Sequence, residues 1–150
     1  MSDTPRRPVV KAFLVCDTIL HDAQTNKRSL IGVFHDLGST QFPAVHPNLW
    51  IYANLTDARG KYEFEFRLVD LTRNAVVGGA KPPPIEIPDP RQTAEFSAQL
   101  RNLTLPAPGT YEFHLLANQE LLATKAIRVV QVDAQGRQLP PGAAGPAPGA

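Results

Sequence analysis

The chain has 150 residues, a formal net charge of +1 and 43% hydrophobic side chains, the size of one domain with enough apolar surface for a core. Balanced charge argues against an electrostatic nucleic-acid binder or a polybasic membrane binder, and no apolar run reaches the roughly 20 residues of a membrane helix. The single cysteine, Cys16, excludes an internal disulfide, while fifteen prolines and ten glycines favour short strands joined by turns over helices.

Residues 1–8 are polar and read as a flexible N-terminus. Arg6-Arg7 ahead of the apolar run 9–15 and Cys16 imitates a twin-arginine or lipoprotein signal. The run is short, Lys11 interrupts it, and Val15 is not the small residue a cleavage site needs, so a soluble cytoplasmic protein is expected. Residues 9–20 carry apolar side chains on both parities, Ala12, Leu14 and Cys16 against Phe13, Val15 and Ile19, the pattern of a strand covered on both faces. Residues 21–27 are a polar connection, and 29–36 form a second strand through Leu30, Ile31, Val33 and Phe34. Residues 38–47 read as a loop: Phe42-Pro43 and His46-Pro47 bias Phe42 and His46 to extended backbone and remove ladder donors.

Residues 48–56 make the third strand, with Leu49, Ile51, Ala53 and Leu55 on one face and Trp50, Tyr52 and Asn54 on the other. After a turn at 57–60, residues 61–69 alternate strictly: Tyr62, Phe64, Phe66 and Leu68 inside, Lys61, Glu63, Glu65 and Arg67 outside. A second turn at 70–74 leads to a short strand through Val76-Val77 that ends at Gly78-Gly79. Residues 81–91 hold five prolines and read as an extended crossing between two sheets. Residues 93–103 resume with Ala94, Phe96, Ala98 and Leu100 against Glu95, Ser97, Gln99 and Arg101.

Residues 105–132 form a hairpin. Tyr111, Phe113 and Leu115 alternate with Thr110, Glu112 and His114, Asn118-Gln119-Glu120 breaks the pattern, and 127–132 return as a β-branched strand. Tyr111 directly after Pro108-Gly109 has the placement of a tyrosine corner, whose hydroxyl bonds backbone upstream. From Asp133 onward the composition collapses to Gly, Ala, Pro and Gln, and residues 133–150 are expected to be a disordered tail. The sum is an all-β domain over residues 9–132: an antiparallel two-sheet β-sandwich, immunoglobulin-like, of roughly seven or eight strands, with a closed barrel as the alternative.

Four segments carry a resemblance: Ala12-Phe13-Leu14, Leu30-Ile31-Gly32-Val33-Phe34, Phe42-Pro43-Ala44-Val45-His46-Pro47 and Gly109-Thr110-Tyr111. On these the chain resembles a bacterial β-sandwich family known only as a domain of unknown function. The resemblance implies the fold and brings no catalytic residue.

None of the candidate chemistries finds its full residue set. Of the four histidines, His21, His35, His46 and His114, no pair has ligand spacing, although His21 and His46 both fall in loops that can meet in space. No metal site and no cofactor is expected. The aspartates lack the dense Asp-x-Asp pattern of a calcium site, and Asp57 and Asp70 open turns where a carboxylate bonds backbone N–H groups. Cys16 sits among apolar residues as a small buried hydrophobe, Ser39 lacks a Gly-x-Ser-x-Gly elbow, and Gly78-Gly79 lacks the rest of a phosphate loop. Trp50 and Tyr52 are the informative pair. Their own strand already supplies a core face on the other side, so they mark either a contact surface or a patch covered by a neighbour such as residues 81–91. The expected function is therefore a non-enzymatic module acting through a protein partner or as a homodimer, with Trp50, Tyr52 and His46 as binding residues. The alternative is a small-ligand-binding or hydrolytic domain using the loops around His21 and His46.

Overall fold

Period-two alternation becomes strand wherever it occurs: the computed structural model describes residues 5–140, and these form eleven strands and no helix. In chain order they are β1 (Val9–His21), β2 (Arg28–Val33), β3 (Asp36–Ser39), β4 (Ala44–Thr56), β5 (Gly60–Tyr62), β6 (Phe64–Asp70), β7 (Ala75–Ala80), β8 (Ile85–Ile87), β9 (Ala94–Leu105), β10 (Gly109–Ala117) and β11 (Glu120–Gln131). A first sheet has the order β2-β1-β4-β9, a second β3-β11-β10-β6-β7, and β5-β8 form a small third. All pairs are antiparallel except β3 with β11.

The all-β expectation holds, but eleven strands replace seven or eight. The supposed loop 38–47 supplies the end of β3 and the start of β4. Pro47 is tolerated inside β4 because the ladder to β9 steps from His46↔Leu103 to Asn48↔Arg101, and the ladder to β1 ends at Cys16↔Trp50. The proline segment contributes β8, which pairs with β5 and buries Ile87.

The core lies between the two larger sheets. Leu49, Ile51 and Leu55 of the first and Phe66, Phe113 and Leu115 of the second are fully buried. Phe13 stacks on Phe66 at 6.1 Å between ring centroids, and Phe96 lies 4.5 Å from Phe64, so aromatic pairs from facing strands lock the sheets together.

Tyr111 is fully buried, and its hydroxyl donates to the Ala107 carbonyl at 2.6 Å while accepting from the Ala107 N–H at 3.3 Å. This is the geometry expected of a tyrosine corner. Tyr111→Phe is expected to cost about 1 to 2 kcal/mol by leaving those backbone groups unsatisfied. A denaturant midpoint equal to wild type would show that the bond contributes nothing. At the β10–β11 turn, Asn118 (φ 49°) and Gln119 (φ 69°) are both left-handed, which makes a two-residue type I′ turn.

Both ends of the described region are tied down more than their polarity predicts. The Tyr62 hydroxyl donates to the Arg6 carbonyl at 2.6 Å, and Arg7 pairs with Glu120, so residues 5–8 are held although residues 1–8 read as flexible. Residues 1–4 lie outside the described residues. In the expected tail, the Asp133 carboxylate accepts from the N–H groups of Gln135 (2.9 Å) and Arg137 (2.8 Å), and the Leu139 N–H bonds the Gln131 carbonyl. Local carboxylate-to-backbone bonding holds 133–137 and Leu139 is partly buried; residues 141–150 lie outside the described residues.

Candidate functional site

Alternation along β4 sends Leu49, Ile51, Ala53 and Leu55 to the core, all 0% exposed, and turns Trp50 and Tyr52 to the opposite, outer face of the first sheet. There Trp50 lies between Cys16 of β1 and Gln99 of β9, and Tyr52 between Leu14 and Ser97.

That face is partly roofed. The β1–β4 ladder stops at Cys16↔Trp50, and beyond it Asp17 to His21 pair only with β2. Arg28 sits opposite His21, while Glu95 sits opposite Asn54, itself opposite Ala12. In a flat sheet the run from Ala12 to His21 would hold Arg28 and Glu95 about 30 Å apart along the strands and about 14 Å apart across them. Arg28 and Glu95 nevertheless form an ion pair, so the arm of residues 17–33 bends back across the outer face. Asn48 Nδ2 donates to the Asp17 carbonyl at 3.2 Å at the bend. Gly32 (φ +73°) lies so close to Asp17 that a Cβ there would stand 2.3 Å from its carboxylate oxygen. A side chain here would be strained by the positive φ and would have to displace the Asp17 carboxylate.

Beneath the arm Tyr52 is 8% exposed; its hydroxyl donates to Glu95 and accepts from Asn54 Nδ2 at 3.3 Å. Burial first, and the bond to Glu95 second, push its phenol up from the ordinary value. Cys16 is wholly buried, with its Sγ 3.4 Å from the Thr18 carbonyl, and burial followed by the Asp17 charge pushes its thiol up. That is an inert thiol. Trp50 is half-buried. The cover is thus the β1–β2 arm and not residues 81–91, and the arm's outward side shows Leu20, Ile31 and Val33, 56%, 47% and 44% exposed.

His46 does not join Trp50 and Tyr52. Ala44 and Leu49 both reach the core although their numbers differ in parity, so the alternation slips one step around Pro47, opposite the left-handed Asn102 (φ 52°). His46 therefore lies on the core side, opposite buried Leu103, its ring 6.1 Å from Phe34 and its Nε2 buried without a hydrogen-bond partner among the described residues. An unpartnered buried nitrogen is a cost, so His46→Leu should raise stability by about 1 kcal/mol. A lower denaturant midpoint would contradict this placement.

His21 bonds Asn26 Oδ1 at 2.7 Å within its own hairpin. The Arg28–Glu95 pair holds that hairpin near the Asn54 end of β4, about 25 Å along the strand from His46. The two histidines do not converge. His35 bonds Lys125 Nζ at 2.8 Å and His114 bonds Glu112 at 3.0 Å. Among the described residues no group of three or more His, Cys, Asp or Glu is placed to hold a metal ion. Asp70 accepts from the N–H groups of Thr72 and Arg73, the turn role expected of it. A cleft of about 480 Å³ opens between Pro108, Thr110, Arg128, Val130 and Leu139, and neither His21 nor His46 lines it. No helix among the described residues is long and apolar enough to cross a membrane.

The arm's closure was missed because Arg28 and Glu95 are 67 residues apart, beyond the reach of any local pattern. The one usable signal was Gly32 inside an apolar run, which marks a bend or a close approach.

A family model described as a family of unknown function matches residues 11–130. Among curated proteins none matches. Of solved structures, the alkylpurine DNA glycosylase AlkC of Pseudomonas fluorescens, bound to DNA containing an abasic site analog, is similar at 11% identity and a TM-score of 0.54, over 82% of this chain and 30% of that one. A β-glucosidase of Listeria innocua in complex with glucose is similar at 11% identity and a TM-score of 0.43, over 79% of this chain and 16% of that one. This chain thus spans less than a third of the glycosylase and a sixth of the glucosidase. The first likeness is one of fold alone, and the second is too distant to carry an argument.

Proposed function

The chain belongs to this family of unknown function, DUF6941, and we propose that it is a non-enzymatic binding module, a bacterial cytoplasmic domain of immunoglobulin-like sandwich style that acts through protein–protein contact. The observation that carries this reading is the exposed trio Leu20, Ile31 and Val33 on the arm beside half-buried Trp50. Single exposed apolar side chains are ordinary, whereas a contiguous group marks a partner site. β2 is also an edge strand, with no partner on its free side among the described residues. Its unpaired N–H and C=O groups are a template for an added strand, from another protein or from a second copy of this chain.

A protein fits this surface better than DNA. The similar glycosylase is bound to DNA, but a net charge of +1 offers little phosphate neutralisation here. The non-enzymatic reading is supported by the burial of Cys16 and by the core-facing His46. The small-ligand or hydrolytic alternative has no converging pair behind it, since His21 and His46 sit far apart along β4.

Ile31→Lys with Val33→Lys tests the reading by sedimentation and by affinity capture beside wild type. Association should be lost, while stability changes by no more than about 0.5 kcal/mol per exposed site. Association at wild-type strength in the double variant would overturn it.

A further inference from the structure

We propose that the β1–β2 arm is a hinged flap, latched over Tyr52 and Cys16 by the Arg28–Glu95 ion pair, and that opening it enlarges the contact surface. This regulation rests on the contact reading above and adds a second state to the same face.

Val33 still pairs with Cys16 at the hinge, but from Asp17 to Gly32 the arm has no ladder to β4 or β9 among the described residues and stands as a two-stranded ribbon. Such a ribbon is marginal in water unless something holds it down. What holds it is mainly side-chain chemistry. The Arg28 and Glu95 side chains are 20% and 28% exposed, and Glu95 also receives the Tyr52 hydroxyl. A shielded, shared carboxylate of this kind holds more firmly than a surface ion pair. The bend has its own hinge residue in Gly32, whose φ of +73° an ordinary side chain rarely adopts.

The two states would present different surfaces. Closed, the face shows Leu20, Ile31, Val33 and part of Trp50. Open, it adds the Tyr52 ring and the Cys16 sulfur, which in the closed state lies against Thr18 of the arm itself. A partner pairing with the β2 edge pulls on the arm, and it shifts the equilibrium to the extent that it binds the open state more tightly.

Cys16 is the only cysteine, so its reaction with a disulfide reagent such as Ellman's reagent reports opening in the isolated chain. Arg28→Met keeps the aliphatic stem and removes the charge. It should speed Cys16 labelling by about tenfold or more, the factor a charge-assisted bond would hold closed. Glu95→Gln, which keeps an acceptor for Tyr52, should do the same, and added salt should speed labelling of the wild type. In all three cases the rate should be insensitive to low denaturant, as local opening is. Equal labelling rates in wild type and both variants would overturn the flap. So would rates that follow global unfolding across denaturant, which also covers a variant that is merely unstable. Labelling needs no partner, so a fast-labelling Arg28→Met chain that associates with nothing would sink the contact reading and leave the flap standing. An associating chain whose labelling follows global unfolding would do the reverse.

Discussion

Phe66→Ala is expected to lower the unfolding free energy by about 3 to 5 kcal/mol, the range for deleting a buried phenylalanine. Phe66 is fully buried on β6 and lies between β10 and β7 in the second sheet. Its ring meets Phe13 of β1 at 6.1 Å and Phe96 of β9 at 5.9 Å. Alanine there removes the transfer term, leaves a cavity, and breaks two of the aromatic contacts that join the sheets, leaving Phe64 on Phe96. Total stabilities of domains this size run about 5 to 15 kcal/mol, so the variant should be close to unfolding at moderate temperature. Equilibrium denaturation measures it. A loss under about 1 kcal/mol would mean that the sheets are held together elsewhere.

Trp50→Ala should behave differently. Its ring is half-buried on the outer face, so truncation is expected to weaken association by about 2 kcal/mol or more, roughly thirtyfold, as at an interface hot spot. The loss of stability should fall well below that of Phe66→Ala, because no fully enclosed cavity forms. Binding and denaturation measured on the same preparation separate the two effects. Unfolding comparable to Phe66→Ala would show that Trp50 belongs to the packing under the arm and not to a contact surface.

Much of the fold follows from patterns that are local. The strict alternation through Phe64, Phe66 and Leu68 put β6 in the core, and Tyr111 after Pro108-Gly109 announced its bond to Ala107. The opposition of Trp50 and Tyr52 to Leu49, Ile51 and Leu55 follows from the same period of two. Patterns fail where geometry depends on distant partners. His46 was expected with Trp50 and Tyr52, but the slip at Pro47 opposite Asn102 sends it to the core side, and a one-residue slip exchanges the faces. β8 is three residues between prolines, too short for alternation to show, and it exists because β5 supplies its ladder. β3 exists because β11 offers a free edge to Asp36–Ser39. The fold-back of the arm needed Arg28 to find Glu95, a long-range charge pair that no window of the sequence contains.

Trp50 is the only tryptophan in the chain, so its fluorescence reads the outer face of the first sheet without any substitution. The decisive measurement is acrylamide quenching of that fluorescence in the free chain and in the associated state, whether the partner is a second copy or another protein. Contact through this face predicts quenching that is appreciable when free and falls as the complex forms, in step with the fraction bound. A complex in which Trp50 stays as accessible as in the free chain would contradict the account.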